Sequence, residues 1–387
     1  MQKILIIPFT LSTGGGSEKV LHILIEELAK YYQIDLIERL ECSTCKYKLP
    51  TNVNKLKSMS YSDKYLQDNN QNQFVGHIHR IMLSLMIFTF PRWTYKHYIK
   101  SHNYDFEISF NYLYTSYLIA NSPNPQSKKI MWFHGSVNDL EWNNYTGFKR
   151  CIYRALFKMQ KNALRKADHI VPISINTRKS IEKLFPSVIS KISTINNGYN
   201  FQRIEVLSNE SPSIPKKEKY RLISIGRLDQ NKNVILQLQA LSILKRKNIQ
   251  VELIIVGEGH ERIALTNFIN NHQLTEDVIL TGFLQNPYPL LKTSDCLLVS
   301  SFSEGFPTVI VEALYLGVPV ITTPVGGTEE LIKEGENGYI SDYDPEVYAK
   351  QIECLLLSPI NKQDIHESIK HLTVEQWTKT IKTILLK

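Results

Sequence analysis

The sequence has few cysteines and no apolar run long enough to cross a bilayer. Its 387 residues include five cysteines, of which only Cys42 and Cys45 lie close together. This odd, scattered set of thiols is unlike a disulfide framework and fits a reducing compartment. The longest apolar run, from Ile81 to Phe90, falls well short of the ~20 residues that span a membrane. A disulfide scaffold and a membrane-spanning protein are therefore not expected.

A secretory leader is not expected, and the composition is not that of a disordered protein. Met1, Gln2 and Lys3 run directly into an apolar segment and a Gly-rich turn, without a stretch that ends in a cleavage site. Hydrophobic residues make up 43% and charged residues 21%, which is typical of globular domains. A length of 387 residues predicts two or three such domains.

Acidic residues are scarce in the first half of the chain. Residues 1–200 contain 26 Lys and Arg against 14 Asp and Glu, a net charge of +12, whereas residues 201–387 have a net charge of −4. A basic half can face nucleic acid, an anionic membrane or a phosphorylated substrate, and charge alone does not choose among them.

The opening segment has the pattern of an α/β domain. Residues 3–8 are apolar, a Gly-rich turn follows, and Val20, Leu21, Leu24 and Leu28 then recur at helical spacing. Strand, turn and helix in this order start an α/β domain. Further short strands are predicted at Ile34–Ile37, Phe106–Phe110, Lys129–Phe133 and His169–Ile173. The stretch from about 42 to 104 shows little periodicity.

A break in this pattern separates two halves. Residues 203–220 have no periodicity and include Pro212 and Pro215, so we interpret them as an interdomain linker. Strands and amphipathic helices alternate after it. Strands are predicted at 221–225, 251–256, 278–280, 296–300 and 319–322, and helices at 234–245, 262–272, 288–292 and 307–316, with further helices at the C-terminus.

The pattern predicts an α/β protein with two Rossmann-like domains. Short apolar strands that alternate with amphipathic helices form parallel sheets covered on both faces. We expect a first domain at 1–202, the linker at 203–220, a second domain at 221–370 and a C-terminal helix at 371–387 that could pack back on the first domain. Ligands should bind at the carboxyl ends of the strands, in a cleft where the two sheets face each other.

The strongest candidate site follows the strand that ends at Ser300. Pro307 suits the first position of a helix, which leaves the amides of Thr308 and Val309 free to bind an anion such as a diphosphate. Glu304 and Glu312 lie on the same surface and could accept hydrogen bonds from sugar hydroxyls. The alternative is that both are solvated charges.

A second cluster follows the strand at 221–225. Arg227 and Lys232 flank a turn that opens onto a helix, and a guanidinium with an ammonium group can clamp phosphate there. They could instead be surface charges on a loop. The turn Gly257-Glu258-Gly259 is a weaker signal, because Gly-x-Gly turns are common.

In this order, these segments resemble the retaining, nucleotide-sugar-dependent glycosyltransferases of family 4, glycosyl transferases group 1, whose two Rossmann-like domains form the GT-B fold. The matching segments are Gly226-Arg227-Leu228 with Lys232, Val256 to Gly259, Gly282-Phe283, Glu304 to Pro307 with Glu312-Ala313, Gly317 to Val320 and Gly326-Gly327. In the first half they are Gly14 to Glu18, His134, and Ala167-Asp168 to Ser174.

The resemblance implies roles for individual positions. Arg227 and Lys232 would hold the donor diphosphate, Glu312 the ribose hydroxyls, and Glu304 would lie beside the transferred sugar. Gly305, Phe306, Pro307 and Thr308 would line the sugar and phosphate through their backbone, with Leu284 beside the base. His134 and the turn at Gly15 and Gly16 would face the reacting sugar from the first, acceptor-binding domain.

The resemblance also implies transfer without a metal or other cofactor. Negative charge grows on the departing nucleoside diphosphate, and Arg227, Lys232 and the helix start at Pro307 would stabilise it. Family members are thought to react on one face of the sugar, with the leaving phosphate helping to deprotonate the acceptor. Glu304 is therefore expected to position and stabilise the sugar, without being a proved nucleophile.

Three patterns that suggest a metal are explained better in other ways. Asp342-Tyr343-Asp344 looks like an Asp-x-Asp motif, but it precedes a helix far from the predicted strand ends, so capping is the preferred interpretation. His77, His79, His97 and His102 have no carboxylate or cysteine to complete a site. Cys42 and Cys45 lack a second pair.

The basic charge of the first domain concentrates in one predicted helix. Arg150, Arg154, Lys158, Lys161 and Arg165 recur at spacings of three and four. The stripe is either a solvated face or a surface for anionic lipid, aided by the cations and aromatic residues around the apolar run, namely Arg80, Arg92, Lys96, Lys100, Trp93, Tyr95 and Tyr98. No nucleic-acid motif accompanies it, so nucleic acid is not an expected partner.

The expected function is a bacterial glycosyltransferase that moves a hexose or N-acetylhexosamine, with retention, from a UDP-sugar to a lipid-linked glycan. Its acceptor would be a polyprenyl diphosphate glycan for capsule, O-antigen or exopolysaccharide, including lipopolysaccharide. It would be cytoplasmic and peripheral on the inner face of the cell membrane. Two alternatives stay open: a UDP-N-acetylhexosamine epimerase of the same fold, and a non-catalytic nucleotide-sugar-binding subunit.

Overall fold

The structure is a computed structural model that describes residues 1–11, 15–41, 48–60, 70–99 and 103–385. The chain divides into two units, one made of Met1–Tyr199 with Val374–Lys387 and the other of Asn200–Thr373. Both units are α/β domains.

The first unit is built on a parallel sheet whose strand order, over the described residues, is β3-β2-β1-β4-β5-β6. The strands are β1 (Lys3–Ile7), β2 (Gln33–Leu36), β3 (Val53–Lys55), β4 (Phe106–Ser109), β5 (Lys128–Phe133) and β6 (His169–Pro172). Ile4, Leu5, Ile6 and Ile7 are fully buried, which explains why this strand is apolar at consecutive positions instead of alternating.

Helices of the first unit cover this sheet. They are α1 (Gly16–Ala29), α2 (Asn70–Thr89), α3 (Pro91–Tyr98), α4 (Tyr114–Ala120), α5 (Gly147–Lys166) and α6 (Ile175–Leu184), with 3-10 turns at Asn138–Leu140, Trp142–Asn144 and Pro186–Lys191. The predicted strands of this unit are confirmed. The sequence missed β3, α2 and α3, because the stretch from 42 to 104 shows little periodicity.

The second unit repeats the architecture with the order β12-β11-β10-β7-β8-β9 over its residues. The strands are β7 (Tyr220–Ile225), β8 (Val251–Val256), β9 (Val278–Gly282), β10 (Cys296–Val299), β11 (Val320–Thr322) and β12 (Gly338–Ile340). The helices are α7 (Phe201–Ser208), α8 (Val234–Arg246), α9 (Arg262–Asn271), α10 (Tyr288–Lys292), α11 (Thr308–Tyr315), α12 (Thr328–Leu331), α13 (Pro345–Leu357) and α14 (Lys362–Glu367), with a 3-10 turn at Gln230–Lys232.

When the strands are numbered along the chain within each unit, both sheets have the order 3-2-1-4-5-6. Strands are added on one side of the first strand and then on its other side, so the strand order reverses there. This is the order of doubly wound nucleotide-binding domains, whose ligands bind at the carboxyl ends of the strands near that reversal. The predicted fold class, α/β with two Rossmann-like domains, is confirmed.

The boundaries between the units differ from the predicted ones. Residues 203–208, assigned to the linker, belong to α7, whose Asn200 side chain caps its first turn and which packs against α10. Helical structure was not visible there because the short helix is followed directly by a Pro-rich segment. The C-terminal helix α15 (Val374–Leu385) groups with the first unit and packs against α1.

None of the described helices is both long and apolar enough to cross a bilayer.

Candidate functional site

The loop after β7 is held close to the neighbouring strand by two glycines. The Gly226 amide donates to the Val256 carbonyl at 3.0 Å, and the Leu228 amide donates to the Glu258 carbonyl at 2.9 Å. A Cβ on Gly257 would lie 1.7 Å from the Gly226 oxygen, and one on Gly259 would lie 2.2 Å from the Leu228 oxygen. The Gly-x-Gly turn is therefore needed for close packing of two strand-end loops.

Lys232 lies at the end of a short turn that the side chain of Asp229 caps. The Asp229 carboxylate accepts from the Lys232 amide at 3.1 Å, and Asn233 adopts a left-handed φ of +47° before α8 begins. Ser300 Oγ donates to the carbonyls of Lys232 and Asn233, at 2.8 and 2.9 Å. These bonds fix the backbone at Lys232.

Lys232 and Glu304 form an ion pair at the ends of β7 and β10. Lys232 Nζ lies 2.5 Å from Glu304 Oε1, and Ser301 Oγ donates to the same carboxylate oxygen at 2.8 Å. The Lys232 and Glu304 side chains are only 23% and 17% exposed, so the pair is shielded from water more than a typical surface pair. Two of the predicted site residues are thus in direct contact, although they are 72 positions apart in sequence.

Arg227 is exposed beside this pair. Its side chain is 78% accessible, and its guanidinium lies 3.4 Å from the Asp229 carboxylate. A small depression at the strand ends brings it together with Lys232 and the start of α11; its lining includes Gly226, Arg227, Lys232, Ser300, Ser301 and Val309. An anion in this depression would meet two cations and a helix N-terminus.

The start of α11 differs by one residue from the prediction. Pro307 is the N-cap, in an extended conformation, and Thr308 is the first helical residue. Pro307 contributes no side-chain hydrogen bond to the first turn, so it does not compete there with an anion. The reason is that a proline ring has no hydrogen-bond acceptor that could bind the first amides of the helix.

The loop before α11 packs under a second glycine pair. A Cβ on Gly326 would lie 2.4 Å from the Glu304 carbonyl oxygen, and one on Gly327, whose φ is +80°, would lie 2.7 Å from the Phe306 ring. Phe306 is buried, and Gly305 contacts the same glycine loop. Gly326 and Gly327 therefore shape the loop that holds Glu304.

Glu312 and Leu284 lie in the same unit. Glu312 is buried on α11, with 4% of its surface exposed, so it is not the solvated helix charge of the alternative interpretation. Leu284 is half-buried just after β9, separated from β7 by β8.

His134 directly follows β5 in the first unit. Its ring lies 4.0 Å from that of Phe110, and both of its ring nitrogens are buried without a hydrogen-bond partner among the described residues. Burial lowers the pKa of His134 from 6.5 to about 3, because the charged imidazolium would lose its water. His134 is therefore a neutral imidazole at physiological pH.

The Gly-rich turn of the first unit connects β1 to α1. Gly15 is the N-cap of α1 and donates its amide to the Glu18 carboxylate at 2.9 Å, while Gly16 begins the helix. Gly14 lies outside the described residues. Glu38 was not predicted from the sequence. It is fully buried two residues after β2 and accepts from the Leu11 amide at 2.6 Å.

The predicted alternative to metal binding at Asp344 is confirmed. Its carboxylate accepts from the amides of Glu346 and Val347, at 2.8 and 3.1 Å, and so caps α13. The expectation that this segment lies far from the strand ends is wrong, because Tyr343 donates its hydroxyl to the Ser301 carbonyl, just after β10, at 3.1 Å. Within the described residues, no three His, Cys, Asp or Glu side chains are grouped to hold a metal. Cys42, Cys45, Lys100, His102 and the side chain of His77 lie outside the described part of the chain.

The polar residues around the Lys232–Glu304 ion pair were not predicted from the sequence either. Ser300 and Ser301 follow β10 directly, at the carboxyl edge where ligands bind, which is the signal that could have identified them. Gln237 Nε2 donates to Ser300 Oγ at 2.8 Å from within α8.

Comparison with known families identifies the second unit. Residues 208–371 match the profile of the family described as Glycosyl transferases group 1. This part of the chain is similar to the glycosyl transferases group 1 family. The Lys232–Glu304 pair, Arg227 and α11 all lie within the matched residues, so the resemblance to glycosyl transferases group 1 is confirmed for this stretch.

Three of the similar proteins match this chain over part of their own length. The chain is 28% identical to an uncharacterized glycosyltransferase, MJ1059, of Methanocaldococcus jannaschii, over 67% of this chain and 63% of that protein. It is 31% identical to the N-acetylgalactosamine-N,N'-diacetylbacillosaminyl-diphospho-undecaprenol 4-alpha-N-acetylgalactosaminyltransferase of Campylobacter jejuni, over 47% and 48%. It is 28% identical to the capsular polysaccharide biosynthesis glycosyltransferase CapM of Staphylococcus aureus, over 61% and 63%. The chain thus spans about half to 63% of the length of these relatives.

A solved structure extends the likeness of fold to the whole chain. Anabaena Alr3699/HepE in complex with UDP superposes with a TM-score of 0.73 at 17% identity, covering all of both chains. The likeness of fold therefore covers both units of the chain.

Proposed function

We propose that this protein is a retaining glycosyltransferase of family 4 that moves a hexose or N-acetylhexosamine from a UDP-sugar to a lipid-linked glycan. The single observation that carries the proposal is the Lys232–Glu304 pair, at 2.5 Å, beside Arg227 and the start of α11. Cations and a carboxylate at one strand edge suit a ligand that joins a diphosphate to a polyhydroxylated sugar.

The cations would stabilise the leaving group. As the bond between the anomeric carbon and the phosphate oxygen breaks, negative charge grows on the nucleoside diphosphate, and Arg227, Lys232 and the amides at Thr308 and Val309 would stabilise that charge. Glu304 would accept hydrogen bonds from the sugar and favour the positive charge on its ring, with Gly305, Phe306 and Pro307 lining the same loop. Glu312 would bind the ribose hydroxyls and Leu284 would contact the base.

The first unit would bind the acceptor. We propose that neutral His134 and the turn at Gly15 and Gly16 face the reacting sugar, since both lie at the carboxyl ends of strands. A polyprenyl diphosphate glycan as acceptor is supported by the name of the Campylobacter relative, and a role in capsule or another surface polysaccharide by that of CapM. Such an acceptor would place the protein on the cytoplasmic face of the membrane, as a peripheral protein.

Binding of UDP tests the phosphate site. Because Arg227 is exposed and paired only loosely with Asp229, Arg227→Ala should fold normally and lose most of the rise in melting temperature that UDP causes. Arg246→Ala is the matched control, since Arg246 is also exposed, at 72%, and lies 3.6 Å from Glu346. Full UDP stabilisation of the Arg227 variant would contradict the assignment.

Metal independence is tested by chelation. If Arg227, Lys232 and α11 supply the positive charge, EDTA should lower sugar transfer by less than about twofold, because no cation needs to bridge the diphosphate. The measurement is product mass after incubation with UDP-sugars and membrane-extracted acceptor. A loss of activity that Mg²⁺ or Mn²⁺ restores would refute metal independence and leave the UDP result intact.

A further inference from the structure

The first unit exposes a continuous apolar surface on α2 and α3. Leu85 is 57% exposed, Phe90 65% and Trp93 55%. We call this the α2–α3 apolar face; its members are Ile78, Ile81, Met82, Leu85, Phe88, Phe90 and Trp93, all of them exposed. Monomeric soluble proteins rarely leave so many large apolar side chains contiguous, and such patches mark interaction sites.

The opposite side of α2 fixes this orientation. Leu83 and Ile87 are one turn apart and buried against the core of the unit, beside Leu5 and Ile7. At 100° per residue, the exposed residues of α2 fall on an arc centred about half a turn away from Leu83 and Ile87. The helix therefore cannot bury this face by rotating without pulling Leu83 and Ile87 out of the core.

The two helices that form this face, α2 and α3, contain cations and no acidic residue. No Asp or Glu occurs from 69 to 104, and none occurs in α5, which contains seven Lys and Arg residues. α4 packs against α2, α3 and α5, so these helices form one layer on the same side of the sheet.

The cations of this layer lie close enough to repel one another. Burial and the charges of Arg92 and Lys129 lower the pKa of Lys166 at the end of α5. Phe148 and Ile152, at the start of α5, add further exposed apolar side chains. Like charges gathered around apolar groups would be stabilised by an anionic partner with an apolar interior.

We propose that the α2–α3 apolar face inserts into the interface of an anionic lipid bilayer, while the cations of α5 bind the lipid headgroups. Trp93 and Phe90, at the corner between α2 and α3, would enter at the boundary between headgroups and acyl chains. This inference rests on the membrane location in the proposed function, and it adds the element that inserts.

A second copy of the chain is a poorer occupant. In a symmetric dimer the same patch meets itself, so Arg80, Arg92 and Lys96 of one copy would face those of the other, with no acidic residue of α2 or α3 to pair with. Lipid phosphates provide the missing negative charge.

Vesicle sedimentation tests the proposal without any UDP-sugar, so it can fail while UDP binding is retained. Wild type should sediment with vesicles of phosphatidylglycerol and phosphatidylcholine but not with phosphatidylcholine alone. Leu85→Ser/Phe90→Ser should lower the partition coefficient about tenfold or more, since each residue loses the transfer of its apolar side chain. Val206→Ser/Ile263→Ser, at positions 64% and 75% exposed in the second unit, is the matched control and should bind like wild type.

A second pair of variants separates charge from insertion. Lys149→Gln/Lys158→Gln should weaken binding at low salt and reduce its dependence on salt, whereas the Leu85/Phe90 variant should keep that dependence. Three results would overturn the proposal: wild type that does not bind anionic vesicles, a Leu85/Phe90 variant that binds like wild type, or a dimer in solution that the same variant dissociates. Thermal melts establish that each variant is folded.

Discussion

At the scale of single residues, the contact between Lys232 and Glu304 determines how the two can be tested. Lys232 and Glu304 form an ion pair, and Ser301 donates to the same carboxylate oxygen. Replacing Lys232 would therefore also remove the cation that contacts Glu304. Changes at Lys232 therefore report on both residues, and Glu304 is the better position for separating binding from chemistry.

We expect Glu304→Gln to lose sugar transfer and keep UDP binding. The amide has the size of the carboxylate but no charge to stabilise a positive sugar ring, so transfer should fall about 100-fold or more. Product mass measures transfer, and the UDP-induced rise in melting temperature measures binding. Glu258→Gln, at an exposed residue paired with Arg262, is the control. Wild-type transfer by the Glu304 variant would refute its role and favour a different reaction or a non-catalytic subunit.

His134 should make the first unit sensitive to acid. Its pKa is about 3 in the folded protein and about 6.5 when unfolded, so the unfolded chain takes up the proton first as the pH falls. The stability from the neutral ring is complete above pH 6.5 and is lost towards pH 3, by about 2 kcal/mol at pH 5.

Urea denaturation at pH 7 and pH 5 checks this sign. His134→Phe, which cannot be protonated, should lose less stability than wild type between the two pH values, by about 2 kcal/mol. His260→Gln, at an exposed histidine, should behave like wild type. Equal pH dependence in wild type and the His134 variant would mean that the imidazole is solvated.

At the scale of elements, Arg221 joins β7 to the segment that precedes it. Its guanidinium is fully buried, lies 2.7 Å from Glu252 on β8, and donates to the carbonyls of Ile214 and Pro215 at 3.1 and 2.6 Å. The segment after α7 thus has no regular structure but is held to the sheet by Arg221, together with the Lys216–Asp295 and Lys219–Asp277 ion pairs.

Removing Arg221 should therefore destabilise the second unit strongly. Arg221→Met leaves Glu252 buried without its cation, which typically costs about 3–5 kcal/mol. Arg221→Met/Glu252→Met should recover much of that loss, because it removes both buried charges. Urea denaturation measures both, and a single variant as stable as wild type would show that Glu252 does not depend on Arg221.

At the scale of the whole molecule, the charge divides between the units more sharply than between the halves of the sequence. The first unit has a net charge of +14 once residues 374–387 are included, and the second has −6. The anion site proposed for the second unit would therefore depend on two cations, Arg227 and Lys232, in a unit that is acidic overall. The first unit instead has a broad positive surface.

Local sequence was sufficient to predict an element where its residue pattern is typical of one kind of structure. Ten of the twelve described strands were predictable, because runs of Val, Ile and Leu residues are typical of parallel sheets buried on both faces, whereas β3 and β12 were not. Arg227, Lys232, Glu304 and Pro307 were identified at strand ends for the same reason, since parallel strands place their ends on one edge. The helix α2 was missed because its exposed apolar face obscures the amphipathic pattern.

The sequence by itself determined the two α/β domains, the candidate residues and the excess of positive charge in the first half. Only the tertiary structure decided that Lys232 meets Glu304, that the ring nitrogens of His134 are buried and its ring neutral, and that the apolar run of α2 faces outward. Backbone preference and periodicity act between neighbours in the chain, whereas these contacts join residues far apart in sequence. Burial, and the loss of water that shifts a pKa, exist only after the chain has folded.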